Sequence, residues 1–272
     1  MSFSAMKWSV RREVWENRSL YLAPAIVGGL IALSSIAATF GGLNSTIGRF
    51  RSHAELAGAA LMGTTLIVAI FYCLDALYGE RRDRSILFWK SMPVSDSTAV
   101  LSKMFVPIVI LPVITFVFTV ATQLIMLLLS SAAMAMMGRS AAPLWNLPWG
   151  LMTAGMLFHI ITVHSLYYAP IFGWLLLVSA WVKRLPFVWA FLPPAAVAVI
   201  ERVVFNTTHV ANTYGSRISG GMGSSSQKGS MTLMWPSHPL EFLTQPGLWI
   251  GWAFAAACLT GAVLLRRRRD PI

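Results

Sequence analysis

Charged residues are scarce in this sequence: only 11% of its 272 residues are Asp, Glu, Lys or Arg. A soluble domain carries about a quarter. Hydrophobic residues make up 56% of the chain, so the composition is typical of an integral membrane protein. The net charge of +11 does not indicate a nucleic-acid-binding protein, because the basic residues lie in short clusters at the ends of apolar runs.

Cysteines and catalytic motifs are also few. The two cysteines, Cys73 and Cys258, lie in apolar segments, and neither has metal-site spacing to a His or a second Cys. The Gly/Ser-rich stretch 220–230 lacks the order Gly-x-x-x-x-Gly-Lys-[Ser/Thr] of a phosphate-binding loop. No nucleophile elbow, metalloprotease motif or paired-carboxylate pattern occurs. We therefore expect no metal site and no machinery for nucleotide hydrolysis in this chain.

Six apolar stretches are long enough to cross a bilayer as helices. About 20 residues, each rising about 1.5 Å, span roughly 30 Å of hydrocarbon. The sequence therefore predicts an all-α, polytopic membrane protein with six transmembrane helices. These predicted spans are 20–40, 55–78, 100–129, 151–181, 186–205 and 246–265.

The distribution of basic residues predicts the orientation of these spans. One side of the membrane would hold 15 of the 21 lysines and arginines, and cytoplasmic loops retain positive charge. Both termini, including the basic tail 266–272, and the loop 79–99 are thus predicted to be cytoplasmic. The loop 206–245 is predicted to be external. The six-span domain as a whole covers 20–265.

Residues 1–19 are predicted to form an amphipathic helix at the membrane interface. An apolar stripe runs from Phe3 to Val14 with basic residues beside it, a pattern that suits an anionic leaflet. Trp8 and Trp15, seven residues apart, form a separate stripe that suits packing on the helix bundle.

The loop 79–99 begins as a charge cluster and turns abruptly apolar. Glu80 and Arg84 are four residues apart, in the order that favours an ion pair on a helix. The pattern predicts a short helix over about 81–91. Its apolar run 86–89 is too short to span the membrane, so it must be buried against the leaflet, the bundle or another protein.

The end of this loop carries the start signal of the third span. Pro93 disfavours helix at the residue before it. Ser95 or Asp96 can cap the helix that follows, and Asp96 is favourable in its first turn.

The segment 78–96 resembles a known family. Its sequence is Tyr-Gly-Glu-Arg-Arg-Asp-Arg-Ser-Ile-Leu-Phe-Trp-Lys-Ser-Met-Pro-Val-Ser-Asp, and it is similar to the permease subunits of ABC-2 (type V) ABC transporters. The resemblance in order and topology covers the whole chain, whereas the residue-level similarity covers about 77–103. In that family an interfacial helix precedes six spans, and the loop between the second and third forms a coupling helix seated in a separate ATPase subunit.

The resemblance implies a non-enzymatic permease subunit of an exporter in the inner membrane of a bacterium. The substrate would be hydrophobic, peptide-like or lipid-like. Its partners would be two copies of an ATPase that binds ATP and Mg, a second permease copy or homologue, and the lipid bilayer, with no nucleic acid and no cofactor in the chain itself. The residues that would contact the ATPase are Glu80, Arg81, Arg82, Asp83, Arg84, Ile86, Phe88, Trp89 and Lys90.

A simpler explanation of the same loop stays open. Its arginines would only enforce topology, and Phe88 and Trp89 would only lie in the interface.

Ionisable and polar residues inside the spans are further candidates, because burying them in lipid costs several kcal/mol. Glu201 and Arg202, at the outer end of the fifth span, together with His159 and Gln123, are candidates for a pathway or gate. His159 and His164 are five positions apart, roughly 140° around a helix, so they do not converge on one metal. Core packing for the histidines and interhelical hydrogen bonding for Gln123 are the alternatives.

Other functions also stay open. One is a non-enzymatic membrane scaffold or sensor whose cytoplasmic segment binds a different partner. Another is an intramembrane enzyme that uses His159, His164 or Glu201. A self-contained secondary transporter is disfavoured by the six spans and the lack of a clear internal repeat.

Overall fold

The structure, a computed structural model, describes residues 3–39, 43–86, 94–218, 244 and 246–268. Within these ranges the chain is helical, with no β-strand. The helices are α1 Phe3–Glu16, α2 Ser19–Thr39, α3 Leu43–Ala76, α4 Tyr78–Arg82, α5 Asp96–Met136, α6 Ala142–Trp145, α7 Trp149–Tyr167, α8 Ala169–Trp181, α9 Pro186–Phe205, α10 His209–Ile218 and α11 Pro246–Arg268.

Five helical segments of the described chain are long and apolar enough to cross a membrane. They are α3 together with α4, and α5, α7, α9 and α11. A sixth arises if α1 and α2, which are bent by 51° at their junction, are counted as one span. The predicted all-helical fold is confirmed for the described residues, and five or six of their helices are long and apolar enough to cross a membrane. The layout of six spans stays a prediction.

The predicted span 151–181 is divided into two helices, α7 and α8. The last eight residues of α7, Ile160–Tyr167, are π-helical, and the amide of Tyr168 bonds to the carbonyl of Val163, 3.1 Å away. Pro170 follows at once and has no N–H to continue the ladder. The helix therefore breaks at Tyr168, and α8 is an apolar helix of only 13 residues.

The long helix α5 is also irregular near its start. It contains 41 residues, about twice the length that a bilayer requires. Its segment Val106–Ile110 is π-helical, with Pro107 inside it and Pro112 soon after it. A membrane helix accommodates proline by such local adjustments. The π segments of α5 and α7 contact each other.

The main apolar core lies where α3, α5, α8 and α11 meet. Phe172, Leu175 and Leu176 of α8 are fully buried there. A Cβ atom on Gly173 would lie 3.1 Å from the Cα of Ala255. Glycine therefore allows α8 and α11 to approach closely.

The segment between α3 and α5 departs from the predicted continuous helix 81–91. Helix α4 ends at Arg82, and Arg84 has a left-handed φ of 57°. Helix resumes at Ser85 and Ile86, and the rest of the predicted helix lies outside the described residues. The predicted cap of α5 is confirmed, because the Thr98 amide donates to Ser95 Oγ at 3.2 Å and Asp96 lies in the first turn.

Candidate functional site: an ionic cluster at one end of the bundle

Six charged residues from four helices converge at one end of the bundle and form what we call the ionic cluster. Helix α1 supplies two of them, α4 one, α5 two and α11 one. The members are Arg12, Glu13, Glu80, Asp96, Lys103 and Arg266.

Lys103 is the central cation of the cluster. Its Nζ lies 2.8 Å from Glu13 Oε1 and 3.1 Å from Glu80 Oε1. The hydroxyl of Tyr72, on α3, donates to the second oxygen of Glu13 at 2.9 Å. The buried Glu13 carboxylate is thus paired through both oxygens, as an ion removed from water requires.

Glu80 is the central anion. Besides Lys103, it accepts hydrogen bonds from Arg12, at 3.2 Å, and from Arg266. Arg266 in turn contacts Asp96, with 3.0 Å between Nε and Oδ1. Three cations around one carboxylate favour its ionised form. Glu80 therefore connects α4 to α1, α5 and α11 through ion pairs and does not act as a proton donor.

Arg81 ties the same segment to α8. Its guanidinium donates to the carbonyl oxygens of Ser179 and Val182 at the end of α8. The Ser179 hydroxyl donates to the Leu74 carbonyl at 2.8 Å and accepts from the amides of Leu77 and Tyr78. The Ser179 hydroxyl therefore bonds the α3–α4 turn to the end of α8 through two backbone N–H groups and one backbone carbonyl of that turn.

The residues predicted to contact an ATPase divide into two groups. Glu80, Arg81 and Ile86 are buried against their own chain, so in this conformation they form the base of the segment rather than its surface. The exposed residues are Arg82, Asp83 and Arg84. Phe88, Trp89 and Lys90 lie outside the described residues. The predicted helical pair between Glu80 and Arg84 is replaced by the bonds of Glu80 within the ionic cluster.

The predicted gate residues lie on three helices, α5, α7 and α9. Glu201 accepts hydrogen bonds from Thr207 Oγ1 at 2.9 Å and from the amides of His209 and Val210 at 2.8 Å. It therefore caps the start of α10. Arg202 is exposed, and Gln123 is buried in α5.

His159 and His164 lie on α7 with ring centroids 6.4 Å apart. The His164 ring also stacks on Tyr168, with centroids 5.3 Å apart. No group of three or more His, Cys, Asp or Glu residues with metal-binding geometry occurs in the described part of the chain.

The packing suggested for the α1 tryptophans is wrong. Trp8 and Trp15 are both 63% exposed. The guanidinium carbon of Arg11 lies 5.3 Å and 4.4 Å from their ring centroids. The helix turns Glu13 inward instead, because that carboxylate reaches Lys103 and Tyr72.

A cavity of about 240 Å³ lies beside the ionic cluster, between α1 and the start of α5. Besides the cluster residues, its lining includes Trp8, Ser9, Val94, Ala99 and Ser102. The cluster thus borders a cleft between the N-terminal helix and the segment that precedes α5.

Sequence reasoning placed the cluster residues near one membrane face but did not pair them. One feature of the sequence could have indicated the pairing, because Glu13 and Lys103 each interrupt an apolar helical face. A charged side chain on such a face needs a partner of opposite charge when the face is buried. Comparison with models of known families, with curated proteins and with solved structures gives no significant match.

Proposed function

We propose that this chain is the membrane-spanning permease subunit of an ABC-type exporter. A separate ATPase would engage the segment 80–90 and drive movement of a hydrophobic, peptide-like or lipid-like compound. The proposal is supported by the resemblance of the segment 78–96 to ABC-2 permeases and by the five or six helices that are long and apolar enough to cross a membrane.

The anchoring of the segment at its base carries the proposal. Glu80 is ion-paired to α1, α5 and α11, and Arg81 is bonded to the end of α8. A displacement imposed on the residues that follow would therefore reach four helices through charged contacts with defined geometry. Such a chain of packed and hydrogen-bonded groups is what coupling between distant sites requires.

The division between buried and exposed residues assigns two roles in this proposal. Glu80, Arg81 and Ile86 hold the segment to the bundle. Arg82, Asp83 and Arg84, with Phe88, Trp89 and Lys90, face the ATPase. ATP and Mg belong to the two ATPase copies, and a second permease copy or homologue completes the transporter.

Co-purification from mild detergent, followed by an ATPase assay, tests this function. The wild type is compared with Phe88→Ala/Trp89→Ala and with a matched control, Trp252→Ala/Phe254→Ala. The control removes the same two types of side chain from exposed positions on α11. We expect the wild type and the control to retain an ATP-hydrolysing subunit and the Phe88/Trp89 variant to lose it.

Two outcomes would contradict the proposal. If a folded wild type carries no ATPase, the chain is better explained as a scaffold or sensor. If the ATPase stays bound to the Phe88/Trp89 variant, the coupling role of the segment 80–90 is wrong even if the protein is a transporter.

A further inference from the structure

An open recess lies at the junction between α1 and α2, where the two helices are bent by 51°. It measures about 470 Å³, and we call it the elbow recess. None of its lining residues belongs to the ionic cluster, so it is distinct from the site described above. The lining residues are Trp15, Arg18, Tyr21 and Leu22.

Three hydrogen-bond donors line the elbow recess, namely the indole N–H of Trp15, the guanidinium of Arg18 and the hydroxyl of Tyr21. Among the described residues, none of these three groups has a hydrogen-bond or ion-pair partner. The described lining contains no carboxylate. Glu16, which lies between Trp15 and Arg18 in sequence, is paired with Arg12 at 3.1 Å. The recess therefore presents donors and positive charge to a ligand.

Arg11 adds a second positive charge beside the elbow recess. Its guanidinium carbon lies 4.4 Å from the ring centroid of Trp15. Arg11 and Arg18 are both exposed, and neither is paired with a carboxylate of the described chain. Arg12, on the same helix as Arg11, differs because it pairs with three glutamates. The uncompensated charge on this surface favours an anionic ligand.

An apolar stripe continues from the elbow recess along α2. The Leu22 amide donates to the Arg18 carbonyl at 3.0 Å, so Leu22 lies one turn after Arg18. Residues three or four positions apart share one face of a helix. Over the 15 positions from 18 to 33 the chain rises about 22 Å, more than the roughly 15 Å of hydrocarbon in one leaflet. The side chains of the stripe, between 48% and 64% exposed, are Leu22, Ile26, Leu30 and Leu33.

We propose that the elbow recess binds the headgroup of an anionic phospholipid, whose acyl chains lie along the apolar stripe of α2. Arg18 pairs with the phosphodiester, because a guanidinium matches the geometry of phosphate oxygens. Trp15 and Tyr21 donate further hydrogen bonds to the headgroup, as such rings do at a membrane surface. The proposal rests on the membrane location in the proposed function and not on transport or on an ATPase.

The charge of the elbow recess distinguishes between lipids. A zwitterionic headgroup would bring its own cation to a surface that already carries Arg11 and Arg18. An anionic headgroup leaves a net negative charge for these two cations. The junction of α1 and α2 lies on the side predicted to be cytoplasmic, where the leaflet is the anionic one.

Native mass spectrometry of the full chain in mild detergent tests the proposal. The protein is titrated with dioleoylphosphatidylglycerol and, separately, with dioleoylphosphatidylcholine, which has the same acyl chains. We expect the first phosphatidylglycerol to bind about fivefold more tightly, the effect of one basic residue at an anionic headgroup. Equal affinities for the two lipids would overturn the proposal.

Variants locate the binding site. Arg18→Gln should lower the affinity for phosphatidylglycerol about fivefold and leave that for phosphatidylcholine unchanged, whereas Arg18→Lys should retain a preference for the anionic lipid. The matched control, Arg267→Gln, removes the same charge from an exposed position at the end of α11 and should change neither affinity. Equal losses in Arg18→Gln and Arg267→Gln would show a general effect of net charge and overturn the assignment.

A second variant covers the case in which Arg18→Gln does not fold, as judged by its unfolding temperature. Trp15→Phe removes the indole donor from the same recess and should also weaken phosphatidylglycerol binding. An unchanged affinity in that variant would overturn the proposal.

A soluble phosphate ester distinguishes a lipid site from a site for free phosphate compounds. sn-Glycerol 3-phosphate carries the phosphate group without acyl chains, so it should not displace phosphatidylglycerol at equal concentration. Displacement at equal concentration would show that the recess recognises a soluble phosphate, and it would overturn the lipid proposal. None of these measurements uses an ATPase, so failure of the lipid site and failure of the exporter function are distinguishable.

Discussion

Lys103 Nζ lies 2.8 Å from Glu13 Oε1, and both residues are only 3% exposed. They are 90 positions apart in the chain and belong to α5 and α1. Two buried ions of opposite charge cost less than either ion alone, because their attraction offsets part of the lost hydration. The pair therefore fixes where the N-terminal helix docks.

Removing the charge of Glu13 should destabilise the protein strongly. Glu13→Gln leaves Lys103 with Glu80 as its remaining carboxylate, and breaking a buried pair costs about 3–5 kcal/mol. The matched control is Glu16→Gln, one turn later on the same helix, whose exposed pair with Arg12 should contribute about 1 kcal/mol or less. Thermal unfolding in mild detergent measures the stability of both variants. Equal decreases in unfolding temperature would show that the buried pair contributes no more stability than the exposed pair.

Substitutions of Arg266 and of its neighbour Arg267 should also differ in their effect on the unfolding temperature. Arg266→Gln breaks contacts to Glu80 and Asp96, whereas Arg267 is exposed, so Arg267→Gln should change the unfolding temperature little. In a double-mutant cycle, Glu80→Gln and Arg266→Gln should be non-additive by about 0.5–3 kcal/mol, because they share one interaction. Strict additivity would contradict a direct contact between them.

Substitution of glycine by alanine should have opposite effects on stability at two positions, one at the close contact of α8 and α11 and one in open space on α3. Gly173→Ala would place a methyl group 3.1 Å from the Ala255 backbone, and such overpacking costs about 1–3 kcal/mol. A Cβ atom on Gly63, within α3, meets no atom within 4 Å. Gly63→Ala should therefore stabilise the helix by about 0.5–1 kcal/mol. Thermal unfolding of the two variants distinguishes the signs, and stabilisation by Gly173→Ala would refute the close approach.

The exposed tryptophans of α1 should contact lipid if α1 lies at the membrane interface. Indole rings favour the headgroup level, and Arg11 between them favours an anionic leaflet. In vesicles of brominated phosphatidylglycerol, we expect Trp8→Phe/Trp15→Phe to lower the quenched fraction of the tryptophan fluorescence. Trp174→Phe is the control, because that indole donates to the Ala190 carbonyl within the bundle. An unchanged quenched fraction in the double variant would place α1 away from lipid.

Hydropathy predicted the cores of most membrane helices but not their ends or breaks. The second span was predicted from residue 55, yet α3 begins at Leu43. Its polar start contains an i,i+4 pair between Arg51 and Glu55 at 3.2 Å, which stabilises helix without adding hydrophobicity. The break at Tyr168 was missed for the converse reason, because an apolar run continues through it.

The candidate site was only partly predictable. The charge cluster at 80–84 stood out in the sequence, and its position next to a span end followed from hydropathy. The inward placement of Glu80 and Arg81 did not follow, because nothing local distinguishes them from their exposed neighbours Arg82 and Asp83.

The sequence by itself determined that the chain forms several helices long and apolar enough to cross a membrane, because composition and the length of apolar runs are local properties. Only the tertiary structure decided which charges are paired. Glu80 meets Arg12 across 68 positions and Arg266 across 186, and no spacing rule operates over such separations. These pairs exist because helix packing brings ions of opposite charge to one place away from water, where each must find a partner.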